Sequence, residues 1–355
     1  MRDPRVEQLA KVLVGHSIKA KPGERVLIIG NAETAPLIKE TYREVLRAGA
    51  HPILQVGLAE LDKIFFDEAN DEQLQDIEVM EWLYHRADAL IRILGGANNK
   101  ELTGVDPQRL TARRRATGKL TEYLMKGGAR WVVTLFPTQA QAQDAEMSLE
   151  EYEDFVFSAT NVDYVEMERS MRSVAERFDR ASKVRIVGKE TDLTVDIAGR
   201  KGIVCAGENN VPDGEIFYSP NHLLTEGRIY YDWPTVYNGR EISGIRLVFE
   251  KGRVIQASAE KGEDALLAAL DTDEGARYLG ELGIGMNFGI TRPTKDILFD
   301  EKIGGSVHLA LGRAYEEAGG GNQSAIHWDM VKNLKDGGEI HLDGELVQKD
   351  GKWLF

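Results

Sequence analysis

Apolar positions in the first half of the chain switch between two periods. Over residues 4–14, Val6, Leu9, Ala10, Leu13 and Val14 recur at helical spacing, and a KPGE turn then leads into the short apolar run ERVLIIG. A run of that length ending in glycine reads as a buried strand. The helical period returns over about 35–48, with Leu37, Ile38, Tyr42, Val45 and Leu46 on one face and Gly49 as the stop. HPILQVGL, ADALIRILG and ARWVVTLFP read as three more strands, and a long basic helix over about 107–125 separates the last two. Strand and helix in alternation predict an α/β domain with a mostly parallel sheet, since parallel strands need a crossover connection. This domain is expected to span 1–182 and to end after the helical segment MERSMRSVAERFD.

From Lys183 the pattern changes. KVRIVG, TDLTVDIAG, GRIYYD and GIRLVFEKGRVIQASAEKG are short β-like runs, and Glu250-Lys251-Gly252 forms a hairpin turn within the last. Helices are expected over about 262–270 and 274–282, and the tail GGEIHLDGELVQKDGKWLF reads as one more hairpin. The second domain, 183–355, is therefore expected to be α+β and rich in antiparallel strands.

Composition narrows the function classes. The 355 residues carry 44 Lys+Arg against 58 Asp+Glu, a net charge of −14. That balance argues against a nucleic-acid binder, which needs a basic face to displace counterions. No run approaches the ~20 apolar residues of a membrane span. MRDPRVEQLAKVL puts charge where a signal peptide needs an apolar core, so a cytoplasmic location is expected. The single cysteine, Cys205, excludes an internal disulfide framework and a multi-cysteine zinc site.

Candidate chemistry lies in the second half. In Ser324-Ala-Ile-His327-Trp-Asp329 the histidine and aspartate are two apart, which on a strand places them on one face as a chelating pair or as a surface ion pair. His308 lies among small and apolar residues in GSVHLALG, as either a neutral metal ligand or a core histidine. Glu281 sits between glycines in GELGIG, and Glu215 follows a turn in PDGEIFY. Each is an ordinary turn residue on its own, but a buried carboxylate needs a partner or a metal. Together the five offer oxygen and nitrogen ligands without a thiolate, more than one catalytic zinc takes and enough for a two-metal centre.

PDGEIFYSP, YLGELGIGMN, LFDEKIGGSVHLALGRAY and SAIHWDMV resemble, in that order, the motifs of the M29 family of metalloaminopeptidases (the aminopeptidase T type). The resemblance implies that Glu215, Glu281, His308, His327 and Asp329 are metal ligands, that Glu301 is a further acidic ligand or neighbour, and that Tyr315 stands at the active site. It implies two divalent ions per chain (Zn, Co, Mn or Mg), short peptides with a free amino terminus as substrates, and a homodimer. The chain departs from the pattern in a shorter stretch between His308 and His327 and in two extra residues between Glu301 and His308.

The chemistry expected is hydrolysis by a metal-activated water. Glu215, Glu281 and Glu301 compete as the proton shuttle, and Tyr315 is either an oxyanion donor or a core tyrosine on a helix starting near Leu311. Ile216, Phe217, Leu282, Leu309 and Trp328 would favour an apolar amino-terminal side chain. His222 and His341 are expected to be dispensable. One rival is a nucleotide-dependent enzyme, because VLIIGN followed by AETAPLIKE is a strand, a glycine and a helix start; it lacks both GxGxxG and GxxxxGK[ST]. The other is a non-catalytic peptide- or metal-binding protein of the same fold.

Overall fold

The computed structural model describes residues 3–355. They form two compact units, one of residues up to Asn161 together with Gly207–Val211, the other of Val162–Ala206 with Pro212–Phe355.

In the first unit the strands lie in the order His51–Gly57, Arg25–Asn31, Ala89–Leu94, Arg130–Leu135 and Asn210–Val211, every neighbouring pair parallel. Val26, Leu27, Ile28, Leu90, Ile91 and Val132 are buried, as expected of strands covered by helices on both faces. The basic helix forms over Pro107–Met125 with Asp106 as its cap. Two of its arginines are spent inside the unit. Arg109 Nε donates to the Phe66 carbonyl at 2.7 Å and an Arg113 amine to that of Asp76 at 2.7 Å, satisfying carbonyls left open at the ends of two short helices.

The second unit carries two antiparallel sheets. The larger runs Arg253–Ser258, Ile245–Glu250, Glu226–Tyr231, Thr191–Asp196, Lys183–Gly188, Glu339–Leu342, Glu345–Lys349 and Lys352–Trp353. The smaller runs His327–Asn333, Ser306–Gly312, Leu279–Gly285, Glu215–Tyr218 and Ile203–Cys205. Their apolar faces meet in one core that also takes Met171, Val174 and Phe178 from the helix Tyr164–Phe178. The fold class is thus the expected one, a parallel α/β unit followed by antiparallel sheets.

Two expectations fail locally. The helix Tyr164–Phe178 belongs to the second unit, not the first, because its apolar stripe is buried against the later strands. The helix expected over 274–282 is only a 3-10 turn, Glu274–Arg277, followed by the strand Leu279–Gly285. That strand is rich in glycine because neighbours press on it: a Cβ at Gly280 would lie 2.3 Å from the Arg313 carbonyl oxygen and one at Gly285 2.1 Å from that of Ile303.

Candidate metal centre

The smaller sheet sorts its residues by alternation. Across its ladders Glu215 faces Gly285, Phe217 and His308 both face Gly283, Glu281 and Asp329 both face Ala310, and His327 faces Gly312. Directly paired residues project from the same side of a sheet, so Glu215, Glu281, His308, His327 and Asp329 share one face. The other face carries Ile216, Tyr218, Leu282, Ile284, Leu309, Leu311, Trp328 and Met330 into the core. Ile216, Leu282, Leu309 and Trp328 are therefore core residues rather than substrate contacts. Phe217 alone of the five lies on the side of the charged groups, its ring 5.4 Å from that of Tyr315.

Gly283 makes the cluster possible. A Cβ there would stand 1.9 Å from Cε1 and Nε2 of His308, so the imidazole lies directly on the neighbouring strand's backbone. From that position His308 Nε2 is 3.0 Å from Glu281 Oε1 and 3.2 Å from Glu215 Oε2. On the other side, His327 Nε2 is 3.6 Å from Glu281 Oε2 and 3.4 Å from Asp329 Oδ2. Two sets of ligand-bearing atoms result, Glu215–Glu281–His308 and Glu281–His327–Asp329, with Glu281 common to both.

Both rings are oriented alike. His308 Nδ1 donates to the Glu301 carbonyl and His327 Nδ1 to that of Arg313, each at 2.8 Å, which leaves each Nε2 facing the carboxylates. Burial alone would favour a neutral His308, but Glu215 and Glu281 outweigh it and raise its pKa well above the ordinary histidine value. Burial also opposes charge on Glu215, yet Lys302 and His308 hold that carboxyl far below the usual range. Burial, with Asp329 and Glu215 nearby, pushes Glu281 upward. So many carboxylate oxygens around an imidazole nitrogen call for positive charge among them, a proton or a metal ion. Asp329 Oδ1 is also buried without a hydrogen-bond partner. The donor set therefore fits divalent cations.

Glu301 and Tyr315 are placed differently from one another. The Glu301 carboxylate pairs with Lys302 and falls in neither group of potential ligands, although its main chain orients His308. Tyr315 is not on a helix, because the strand Ser306–Gly312 runs through Leu311; it lies in the following loop, its ring 5.0 Å from that of His327. Ser219 holds that loop from beneath, donating to the Tyr315 carbonyl and accepting from its N–H, both at 3.2 Å. Burial and the nearby carboxylates raise the Tyr315 pKa, so the phenol stays protonated and able to donate. His222 packs edge-on to Tyr278 and His341 pairs with Glu339, both apart from the cluster. Lys302, fully buried beside Glu215 and Glu301, gives no warning in the sequence, where DEKIGG reads as a charged turn.

The sequence model of the family described as thermophilic metalloprotease (M29) matches residues 2–353. The chain belongs to the M29 family of metallopeptidases and is an enzyme of the peptide-hydrolase class. Aminopeptidase 2 of Geobacillus stearothermophilus is 27% identical, covering 98% of this chain and 95% of its own length. Aminopeptidase T of Thermus thermophilus is 26% identical, covering 98% of each. The solved structure of wild-type AmpT from Thermus thermophilus superposes with a TM-score of 0.88 at 25% identity over 99% of both chains. The 2,5-dihydroxypyridine dioxygenase of Pseudomonas putida KT2440 shares the fold, with a TM-score of 0.65, 14% identity and coverage of 98% and 96%. A metalloprotease family implies divalent metal ions. No helix among the described residues is long and apolar enough to cross a membrane.

Proposed function

We propose that this chain is a two-metal aminopeptidase that removes residues from the free amino end of short peptides. The observation that carries the reading is the sharing of Glu281 between two histidine–carboxylate groups. Glu215 and His308 would hold one divalent cation, His327 and Asp329 the other, with Glu281 between them. Such cations supply Lewis acidity toward the scissile carbonyl and the attacking water.

The protein's own groups do the rest. Three acidic side chains on one face attract the positively charged amino end of a peptide and disfavour an acidic one. Tyr315, held protonated, donates to the oxygen on which negative charge develops as the amide is attacked. A carboxylate must take the proton of the attacking water and return it to the departing amine, and Glu215, Glu281 and Glu301 are the groups available. Phe217 beside Tyr315 lends one apolar wall. The homodimer and the cytoplasmic location belong to the same proposal.

The nucleotide reading loses its footing at Gly30. A Cβ there would meet Thr34 Oγ1 at 2.7 Å, so the glycine serves helix packing rather than approach of a phosphate. Incubation with leucine-p-nitroanilide and Zn²⁺, Co²⁺ or Mn²⁺ tests the proposal: chelator-sensitive release of nitroaniline is expected. Absence of turnover with every divalent metal would leave a binding protein of the same fold.

A further inference from the structure

Lys302 is fully buried, yet its ammonium lies among the candidate ligands, paired with the Glu301 carboxylate and 3.5 Å from Glu215 Oε1. A buried ammonium persists only where carboxylates compensate it. Here Glu215 comes from the face that also gathers Glu281, His308, His327 and Asp329, Glu301 from the end of the short helix Ile297–Asp300, and buried Asp213 adds a third negative charge nearby. Of the two acids Lys302 touches, Glu215 keeps its second oxygen, Oε2, turned toward His308 Nε2 at 3.2 Å, while Glu301 stands outside both ligand groups. Among the described residues, no ammonium or guanidinium pairs with Asp329, whose contact is with His327.

We propose that Lys302 is a resident cation of the centre, which makes Glu301 its counter-ion rather than a metal ligand and leaves the Glu215–Glu281–His308 subsite the weaker of two cation sites. The inference rests on the two-metal reading above. Its physical basis is charge. A divalent ion held by Glu215 Oε2 must sit within a few ångströms of the ammonium on the other oxygen of the same carboxylate, and that repulsion, only partly offset by Glu301 and the more distant Asp213, weakens binding on the order of tenfold or more. The subsite of Glu281, His327 and Asp329 has no such neighbour. Lys302 thus acts as a positioning residue: it fixes which oxygen of Glu215 faces the cation and grades the two affinities.

Zn²⁺ titration of metal-free protein by calorimetry, with metal content checked by mass spectrometry, tests this without reference to turnover. The wild-type protein should take up two equivalents in separate steps. In Lys302→Met the stoichiometry should stay at two and the weaker step should tighten by about tenfold or more. In Glu301→Gln it should also stay at two, but the weaker step should loosen, because Lys302 is then less compensated. A merely structural role for Lys302 would not move the two variants in opposite directions. Loss of one equivalent in Glu301→Gln, or unchanged affinities in Lys302→Met, would overturn the proposal while leaving the two-metal reading intact. Wild-type protein that takes up no Zn²⁺ would instead overturn that reading, and this one with it. If Lys302→Met fails to fold, the charge-balanced double variant Lys302→Met with Glu301→Gln carries the test: two equivalents near wild-type affinity are expected, and one equivalent contradicts it.

Discussion

His308 and His327 turn their Nε2 atoms toward opposite oxygens of one carboxylate, 3.0 Å from Oε1 and 3.6 Å from Oε2 of Glu281. The arrangement follows from register. Glu281 pairs with Ala310, and its neighbours on the next strand, His308 and Gly312, lie one pleat to either side; Gly312 in turn faces His327. A shift of one residue on any of the three strands would send a proposed ligand into the core.

His327→Ala should abolish peptidase activity and lower metal stoichiometry by one. His327 is half-buried at a strand start, so the melting temperature should change little. His222→Ala and His341→Ala, whose rings meet Tyr278 and Glu339 respectively and stand apart from the cluster, should retain activity. Activity assays with metal analysis on the three purified variants check this.

Gly283→Ala introduces a single methyl where the His308 ring now lies. Either the ring swings away from Glu215 and Glu281 or the strands part. We expect loss of metal from the Glu215–His308 side and a stability loss of about 1–3 kcal/mol, typical of overpacking. Chemical denaturation alongside metal analysis measures both.

Tyr315→Phe removes one hydroxyl and leaves every proposed ligand in place. If that hydroxyl meets the developing oxyanion, kcat should fall by about 100-fold or more, with metal stoichiometry unchanged. Steady-state kinetics at saturating metal distinguish this from a core tyrosine, whose loss would lower stability instead.

Asp273 anchors the segment that leads into His327. Its carboxylate accepts from Ala325 N at 2.7 Å, from Ser324 Oγ at 2.8 Å and from Ala276 N at 2.9 Å. The Ala325 N–H, with Ser324 and Ala276 helping against partial desolvation, lowers its pKa below the ordinary value. A depressed carboxyl stabilises the fold above its unfolded pKa of about 3.9, and that stability is lost as the pH falls through the folded value. Asp273→Ala should therefore cost about 1–2 kcal/mol at neutral pH, in the range of a lost helix cap, and the difference from wild type should vanish in acid. Denaturation curves from pH 7 down to about pH 3 follow it.

Local patterning carried much of this fold. Period-two and period-3.6 runs were enough for the parallel strands and for the helix Pro107–Met125, and the five proposed ligands stand in motifs short enough to be recognised. What escaped depends on distant partners. The start of GELGIG reads as the end of a helix, and its strand shows only when His308, Arg313 and Ile303 are seen pressing on its glycines. The helix Tyr164–Phe178 carries an apolar stripe, but nothing local says that the stripe meets strands that come later in the chain. Lys302 follows two acids in an unremarkable charged turn, and only its burial gives it meaning.

Anomalous diffraction at the metal edge from crystals grown with Zn²⁺ or Mn²⁺ would locate the cations themselves. Two peaks about 3.5–4 Å apart are expected, one on each side of the Glu281 carboxylate. A single peak, or peaks away from Glu281, would contradict a Glu281 shared between two cations.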